Sequence, residues 1–309
     1  MKYYMTRLIR LLPPFLRRNI LLRREQEKHP CKNFLSVCAI VKNEGPYFKE
    51  WIEYHKLLGV DKFYVYDNES TDETFEVLKP YIEKGVVEYS FWPGKLQQKP
   101  AYKDCINRFK NDSEWIAFTD LDEFIVPMRP PLPGGFGAAS CESIPDFLRK
   151  LPSASTQLCI GWTNYVSSGH ETKPAGLVIE NFRHTTGGLP VYGKSIVNPR
   201  DVARASVHKH KMTWGDSVDE NGDVIEWYEF STGGKLRRGF QTDKIRVNHY
   251  RIKSWEEYNA KYARGGNAAT PGEPKYTRAR FDRYNINKHL DETMDKYVAK
   301  LKQITGGGG

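Results

Sequence analysis

The chain has 309 residues, 39% of them hydrophobic and 28% charged, with a net charge of +9. That balance describes a globular protein of one large domain, or one domain with an appended lobe. The five scattered cysteines (Cys31, Cys38, Cys105, Cys141, Cys159) exclude a disulfide framework and metal-ligand cysteine spacing, and suit a reducing compartment. The 13% aromatic share fits a core, and also a site that stacks bases or sugars.

Residues 1 to 30 carry eight basic side chains against two acidic ones, which is six of the nine net charges. Leucines and aromatics lie between the arginines, and Pro13-Pro14 breaks the segment into two amphipathic pieces. No apolar run approaches the ~20 residues of a spanning helix, and no small-residue cleavage site marks a signal peptide. The segment reads as an interfacial anchor on anionic lipid. A nucleic-acid arm and a basic helix packed on the domain are the rivals.

Phe34 to Val41 is an apolar run suited to a strand covered on both faces. Lys42-Asn43-Glu44-Gly45 breaks it, Pro46 opens a helix, and Gly59 stops that helix. Val60 to Tyr66 is the second strand. It ends in Asp67-Asn68, and Ser70 with Glu73 forms a capping box for the next helix. Val86 to Trp92 is a third strand, Gln97 to Lys110 a helix, and Trp115 to Phe118 a buried fourth strand. The alternation predicts a parallel, doubly wound sheet with right-handed crossovers. The strand ends at Lys42, Asp67 and Asp120 then gather along one edge.

Beyond Pro127 the pattern changes. Pro130 to Gly137 is an irregular loop, Ser143 to Leu148 starts a short helix, and Gln157 to Trp162 is a further strand. Lys194 to Trp214 is strongly basic. Ile245 to Tyr250 is a short alternating strand that carries His249, Ser254 to Arg264 a helix, and Phe281 to Ile304 one final helix. Residues 215 to 240 are too polar to place. The Gly306 to Gly309 run is a flexible tail outside the fold.

The chemistry concentrates where the fourth strand ends. Asp120, Asp122 and Glu123 stand at the carboxyl end of a buried strand, where open α/β sheets bind ligands. Three carboxylates losing hydration together require a positive partner. Asp120 and Asp122 point the same way from an extended backbone, with Leu121 turned into the core. Two hard oxygen ligands suit Mn²⁺ or Mg²⁺ shared with substrate phosphates. Neither the dinucleotide glycine pattern nor a Walker sequence is present, so a diphosphate would need such a metal.

Cys38 to Glu44, Glu50-Trp51-Ile52-Glu53-Tyr54-His55, Gly59-Val60 and Tyr66-Asp67-Asn68-x-Ser70-x-Asp72 together form a recognisable set. So do Gln98-x-x-Ala101-Tyr102-x-Asp104-Cys105, Asp120-x-Asp122-Glu123-Phe124, Ser168-Gly169-His170 and His249-Tyr250-Arg251-x-Lys253-Ser254. In these stretches, over residues 34 to 265, the chain resembles glycosyltransferase family 92 and its bacterial relatives. Val166 departs from the pattern, standing where a small residue is expected. The resemblance implies a GT-A-type α/β fold, a Rossmann-like doubly wound mixed sheet with a carboxyl-terminal acceptor-binding part. It also implies metal-dependent, inverting transfer of a sugar from a nucleotide diphosphate.

On that basis the chain divides into a membrane-associating segment (1–33), a nucleotide-sugar-binding half (34–127), an acceptor-binding half (128–265) and a carboxyl-terminal helix with the glycine tail (266–309). Asp120 and Asp122 would hold Mn²⁺ or Mg²⁺, with His249 as third ligand and His208 as its rival. The nucleotide-binding set is Val41, Lys42, Asn43, Glu44, Asp67, Asn68, Tyr102, Asp104, Asp120, Leu121, Lys194 and Lys253, and Arg264 is a further phosphate candidate. An Asx turn is the plainer reading of Asp67 and Asn68, and a helix cap that of Glu44. Trp162, Ser168, Gly169, His170 and Trp214 form the acceptor side.

Inversion needs a carboxylate base. Asp216 is the choice, beside Trp214 as a sugar platform, and Glu171 is the runner-up. The expected enzyme is a hexosyltransferase that uses a UDP-sugar and a glycan or glycolipid acceptor in cell-surface polysaccharide synthesis. Its expected place is the cytoplasmic face of a bacterial inner membrane, held peripherally and without nucleic-acid partners. The alternatives are a metal-dependent nucleotidyltransferase or phosphohydrolase, and a non-catalytic carbohydrate-binding protein.

Overall fold

A computed structural model describes residues 30–128, 143–225, 239–263, 277–286 and 288–306. The basic segment 1–29, the loop Pro130 to Gly137 and Arg264 lie outside the described residues. The first half is as the apolar runs predict. Strands β1 (Asn33–Val41), β2 (Lys62–Asp67), β3 (Val87–Phe91) and β4 (Ser113–Phe118) are all parallel, in the order β3-β2-β1-β4. Helices α1 (Gly45–Leu57), α2 (Thr74–Glu83) and α3 (Gln98–Phe109) make the crossovers. Apolar clusters cover both faces of β1, which is why its last seven residues are all buried.

β5 (Glu123–Pro127) is a strand that the sequence reading does not separate from the acidic motif. Next come α4 (Ile144–Arg149), β6 (Ser155–Asn164), the one-turn helix α5 (Val178–Asn181), β7 (His184–Thr185) and β8 (Gly193–Val197). β9 (Val202–Arg204) pairs with β10 (Lys211–Met212), and β11 (Asp216–Val218) pairs with the start of β6. β12 (Ile245–His249) leads through a short loop to α6 (Trp255–Ala263). The sheet continues from β4 through β8, β6 and β12 to β5, mixing antiparallel with parallel pairs. The two expected halves thus share one nine-stranded sheet.

β4 and β5 lie four strand spacings apart along the sheet, about 19 Å if it were flat. Only residues 119–122 join them, and that turn is closed by a Glu123 N–H to Asp120 carbonyl bond of 3.1 Å. The sheet must therefore curl until its far edge approaches β4. Helix α1 fixes the curl. Its Trp51 indole donates to the Glu123 carbonyl (2.8 Å), and its Tyr54 hydroxyl donates to the Ile125 carbonyl (3.1 Å). His55 Nε2 accepts the Ile125 N–H at 3.3 Å while Nδ1 donates to the Trp51 carbonyl at 2.8 Å. Burial pushes the His55 pKa down to about 4, so the ring stays neutral and one nitrogen can accept.

Three expectations need correction. Ser70 does not cap α2, because its hydroxyl accepts the Asn43 N–H (2.9 Å) and Asp72 accepts the Thr74 N–H instead. The reciprocal box forms at α6, where Ser254 Oγ accepts the Glu257 N–H at 3.2 Å and the Glu257 carboxylate accepts the Ser254 N–H at 3.2 Å and its hydroxyl at 2.6 Å. The final helix is two: α7 (Arg278–Tyr284) and α8 (Asp295–Thr305), separated by β13 (His289–Leu290), which pairs with β7. Asn285 and Asp291 interrupt it, because their side chains bond Ser167 N–H and Arg246. Lastly, Ile245 to His249 does not alternate in exposure, since all five residues are buried between β6 and β5.

Candidate active site

The turn after β4 sets the acidic groups. Leu121 is 5% exposed and belongs to the core, while Asp120 and Asp122 take separate sets of partners. Asp120 Oδ2 accepts from the Lys194 ammonium at 2.9 Å, and its Oδ1 accepts from Gln98 Nε2 at 3.0 Å and the Tyr102 hydroxyl at 3.5 Å. Glu123 is fully buried. Its Oε2 takes the Asp120 N–H at 2.8 Å and stands 3.3 Å from Lys194, while its Oε1 has no hydrogen-bond partner. Burial and the neighbouring aspartates push the Glu123 pKa up to about 8, against the pull of Lys194. Burial would neutralise Lys194, but Asp120 and Glu123 hold it firmly protonated.

Asp122 has a second set of partners. Its Oδ2 pairs with the Lys261 ammonium on α6 and lies 3.7 Å from His249 Nε2. Burial opposes its charge, and Lys261 and His249 nevertheless keep its pKa well below the usual carboxylate range. Burial lowers the His249 pKa, which favours the neutral ring, and its Nδ1 is buried without a partner. The Trp162 ring lies against it (4.6 Å between centroids), and His208 and the half-exposed Tyr192 pack on Trp162 in turn. Lys253 has a left-handed backbone, with φ of 48°. It is buried over the Tyr47 ring at 3.2 Å, in an ion pair with Glu257.

Among the described residues no group of three or more acidic, histidine or cysteine side chains is gathered as a metal cage. The donor set nevertheless suits a divalent cation at one point. A buried carboxylate and a neutral imidazole converge to 3.7 Å, roughly the span of two ligands each ~2.1 Å from one small cation. Asp122 and His249 would hold it. His208 instead directs Nδ1 to the Gly193 carbonyl at 3.0 Å. Asp120 is engaged by Lys194.

The strand ends that sequence places on one edge do meet. The loops after β1 and β2 are stitched together: Asn43 Oδ1 accepts the Thr71 N–H at 2.7 Å, and Lys42 stands 3.9 Å from Glu69. The Asp67 carboxylate accepts the Ser70 N–H and the Tyr89 hydroxyl, both at 2.8 Å. Asn68 donates its amide to the Trp92 and Gly94 carbonyls, and its N–H to the carbonyl of Val41. Asp67 thus closes its own local turn, while the Asn68 amide ties the end of β2 to the segment after β3. The Glu44 N–H bonds Thr74 Oγ1 at the start of α1. Tyr102 joins Asp120, but Asp104, two residues on, turns to Tyr66 and Arg108.

The two candidate bases are not brought to this turn. Asp216 pairs with Ser155 while His249 pairs with Asn164, nine residues along β6 and so about 30 Å away. Trp214 accompanies Asp216 there, its carbonyl bonded to Thr156. Glu171 is exposed and locked in a two-point pair with Arg278 at 2.6 and 3.0 Å. Within the acceptor set, Ser168 Oγ accepts the Arg183 and His184 N–H groups, the N–H of Gly169 bonds Ser167 Oγ, and His170 packs edge-on against Phe182. These bonds shape the loop. Val166, buried with Ile252, Tyr258 and Phe281, supports it from below. Trp162 alone of that set stands at the acidic turn. Sequence reasoning misses Lys261, whose only signal is its place in a helix following the His249 motif.

A doubly wound mixed sheet with an Asp-x-Asp turn at the carboxyl end of its central parallel strand is the GT-A class of α/β fold. The chain belongs to glycosyltransferase family 92, whose model matches residues 35–265. A family 92 protein of Ricinus communis is 26% identical over 255 residues, covering 79% of this chain and 39% of the relative. The galactan beta-1,4-galactosyltransferase GALS2 of Arabidopsis thaliana is 34% identical over 201 residues, covering 62% and 38%. The chain thus spans about two fifths of the length of these curated relatives. Solved structures with some likeness include S. aureus TarS in complex with UDP, at 17% identity and a TM-score of 0.35, covering 54% of this chain and 47% of that one. Another is glucosyl-3-phosphoglycerate synthase from Mycobacterium tuberculosis with Mn2+ and UDP, at 15% and 0.30, covering 55% and 58%. Likenesses this slight bear on neither donor nor acceptor.

Proposed function

We propose that this chain transfers a hexose from a UDP-sugar to a glycan or glycolipid acceptor, with inversion and with a divalent cation, in cell-surface polysaccharide synthesis. The observation that carries the reading is the acidic turn itself. Asp120 and Asp122 stand at the carboxyl end of β4, each matched to a lysine, with a neutral histidine beside Asp122. Family membership supports glycosyl transfer, and likeness to an Arabidopsis galactan galactosyltransferase supports a hexose donor and a glycan acceptor. A bound Mn²⁺ or Mg²⁺ would supply positive charge to the leaving nucleoside diphosphate. Lys194 holds the Asp120 carboxylate in place through a 2.9 Å contact, and Lys253 brings a further ammonium to the same edge. Trp162 and Tyr192 offer aromatic faces for a pyranose next to that edge.

The test is UDP release from a panel of UDP-hexoses with Mn²⁺ and oligosaccharide acceptors, with the anomeric configuration of the product read by proton NMR. An inverted glycoside supports the reading, and no release from any donor sinks it. Peripheral attachment at the cytoplasmic face through residues 1–30 is a separate proposal, motivated by their charge and leucines. Flotation with anionic vesicles checks it, and binding that survives deletion of residues 1–30 discards it.

A further inference from the structure

One oxygen, Asp122 Oδ2, faces both the Lys261 ammonium and His249 Nε2. Asp122 and His249 are each 8% exposed, and the unpartnered, buried Nδ1 of His249 shows a ring that local hydrogen bonding does not explain. A carboxylate oxygen and an imidazole nitrogen 3.7 Å apart make a cation-ligand pair. In this structure the Lys261 ammonium occupies the Asp122 oxygen that such a cation would take. The two lysines of the acidic turn differ in how firmly they are held. Lys194 is 1% exposed and lies between two carboxylates. The Lys261 side chain is 24% exposed and sits in the last turn of α6, whose first turn is pinned by the Ser254–Glu257 box. A flexible four-carbon stem lets that ammonium leave without moving the helix.

We propose that Lys261 is an exchangeable internal cation, which neutralises Asp122 until a divalent ion is taken by Asp122 and His249, and then pairs with the diphosphate of the bound nucleotide. The inference rests on the nucleotide-site reading above. An ammonium and a divalent ion on one oxygen repel each other strongly in a buried setting, so binding of one displaces the other. The displaced ammonium remains within a side chain's reach of the anion the metal brings.

The experiment is calorimetry with Mn²⁺ alone, then with UDP at saturating Mn²⁺, on wild type, Lys261→Gln, Lys261→Arg and Asp122→Asn. Lys261→Gln is expected to bind Mn²⁺ about fivefold tighter without nucleotide, and UDP about fivefold weaker with it. Lys261→Arg keeps the competing charge and stays within about twofold of wild type for Mn²⁺. Removing the ammonium also leaves a buried carboxylate uncompensated, so saturating Mn²⁺ raises the melting temperature of Lys261→Gln more than that of wild type. Unchanged or weaker Mn²⁺ binding by Lys261→Gln overturns the proposal. If Asp122→Asn abolishes Mn²⁺ binding in that case, the nucleotide reading stands while the role of Lys261 falls. If no protein binds Mn²⁺ or UDP, both fall.

Discussion

Glu50 gives a pH dependence that can be worked from the structure. The side chain sits on α1, is 6% exposed, and accepts the N–H groups of Val178 and Ile179 at 2.8 and 3.0 Å. It thereby ties the helix beside the acidic turn to the segment after the Ser168 loop. Burial pushes its pKa up to about 7, against the pull of those two donors. A carboxyl whose folded-state pKa is raised adds stability in full below its unfolded value, and loses it as pH rises through the folded value. From 4.5 to about 7 the shift is worth about 3 kcal/mol at ~1.4 kcal/mol per unit. Glu50→Gln keeps the shape and removes the titration. In urea denaturation between pH 4.5 and 8, the wild type should lose about 3 kcal/mol relative to the variant. Parallel stability curves for the two proteins would refute the reasoning.

Three further outcomes follow from packing and placement. Gly193 lies opposite Gly161 across β8 and β6, and a Cβ there would stand 1.9 Å from the Ile160 carbonyl oxygen. Gly193→Ala should therefore cost about 3 kcal/mol by urea denaturation, and a loss under ~1 kcal/mol would contradict that close approach. Lys194→Met should cost about 2–3 kcal/mol, toward the low end of buried pairs because the Asp120 side chain is 36% exposed. A variant as stable as wild type would show that this lysine is not the counter-ion of the turn. Asp216→Asn should leave UDP affinity within about twofold of wild type, and a tenfold loss would return Asp216 to the site.

The parallel half of the fold was legible because β1, β2 and β4 are apolar runs punctuated by glycine and by polar turns. The curl was not, because β5 begins inside the acidic motif and its antiparallel partner β12 is only five residues long. Capping shows a different limit. Ser70-x-x-Glu73 and Ser254-x-x-Glu257 have the same pattern, yet only the second closes, since the Asn43 N–H takes the Ser70 hydroxyl. The acidic pair was readable from its place at a strand end. Asp216 stands apart from the acidic turn because nearness in sequence to a tryptophan says nothing about which end of β6 a residue joins. Lys261 was invisible for the converse reason, being a single cation on a charged helix whose partner lies 139 residues away.

The central claim, that a nucleoside diphosphate binds at the acidic turn through a divalent cation, is tested most directly by UDP calorimetry with Mn²⁺ and then with EDTA, on wild type and Asp122→Asn. The account predicts UDP binding by the wild type with Mn²⁺, weakened at least about tenfold by EDTA or by the substitution. Equal affinity in all of these conditions, or no binding of any nucleoside diphosphate, would contradict it.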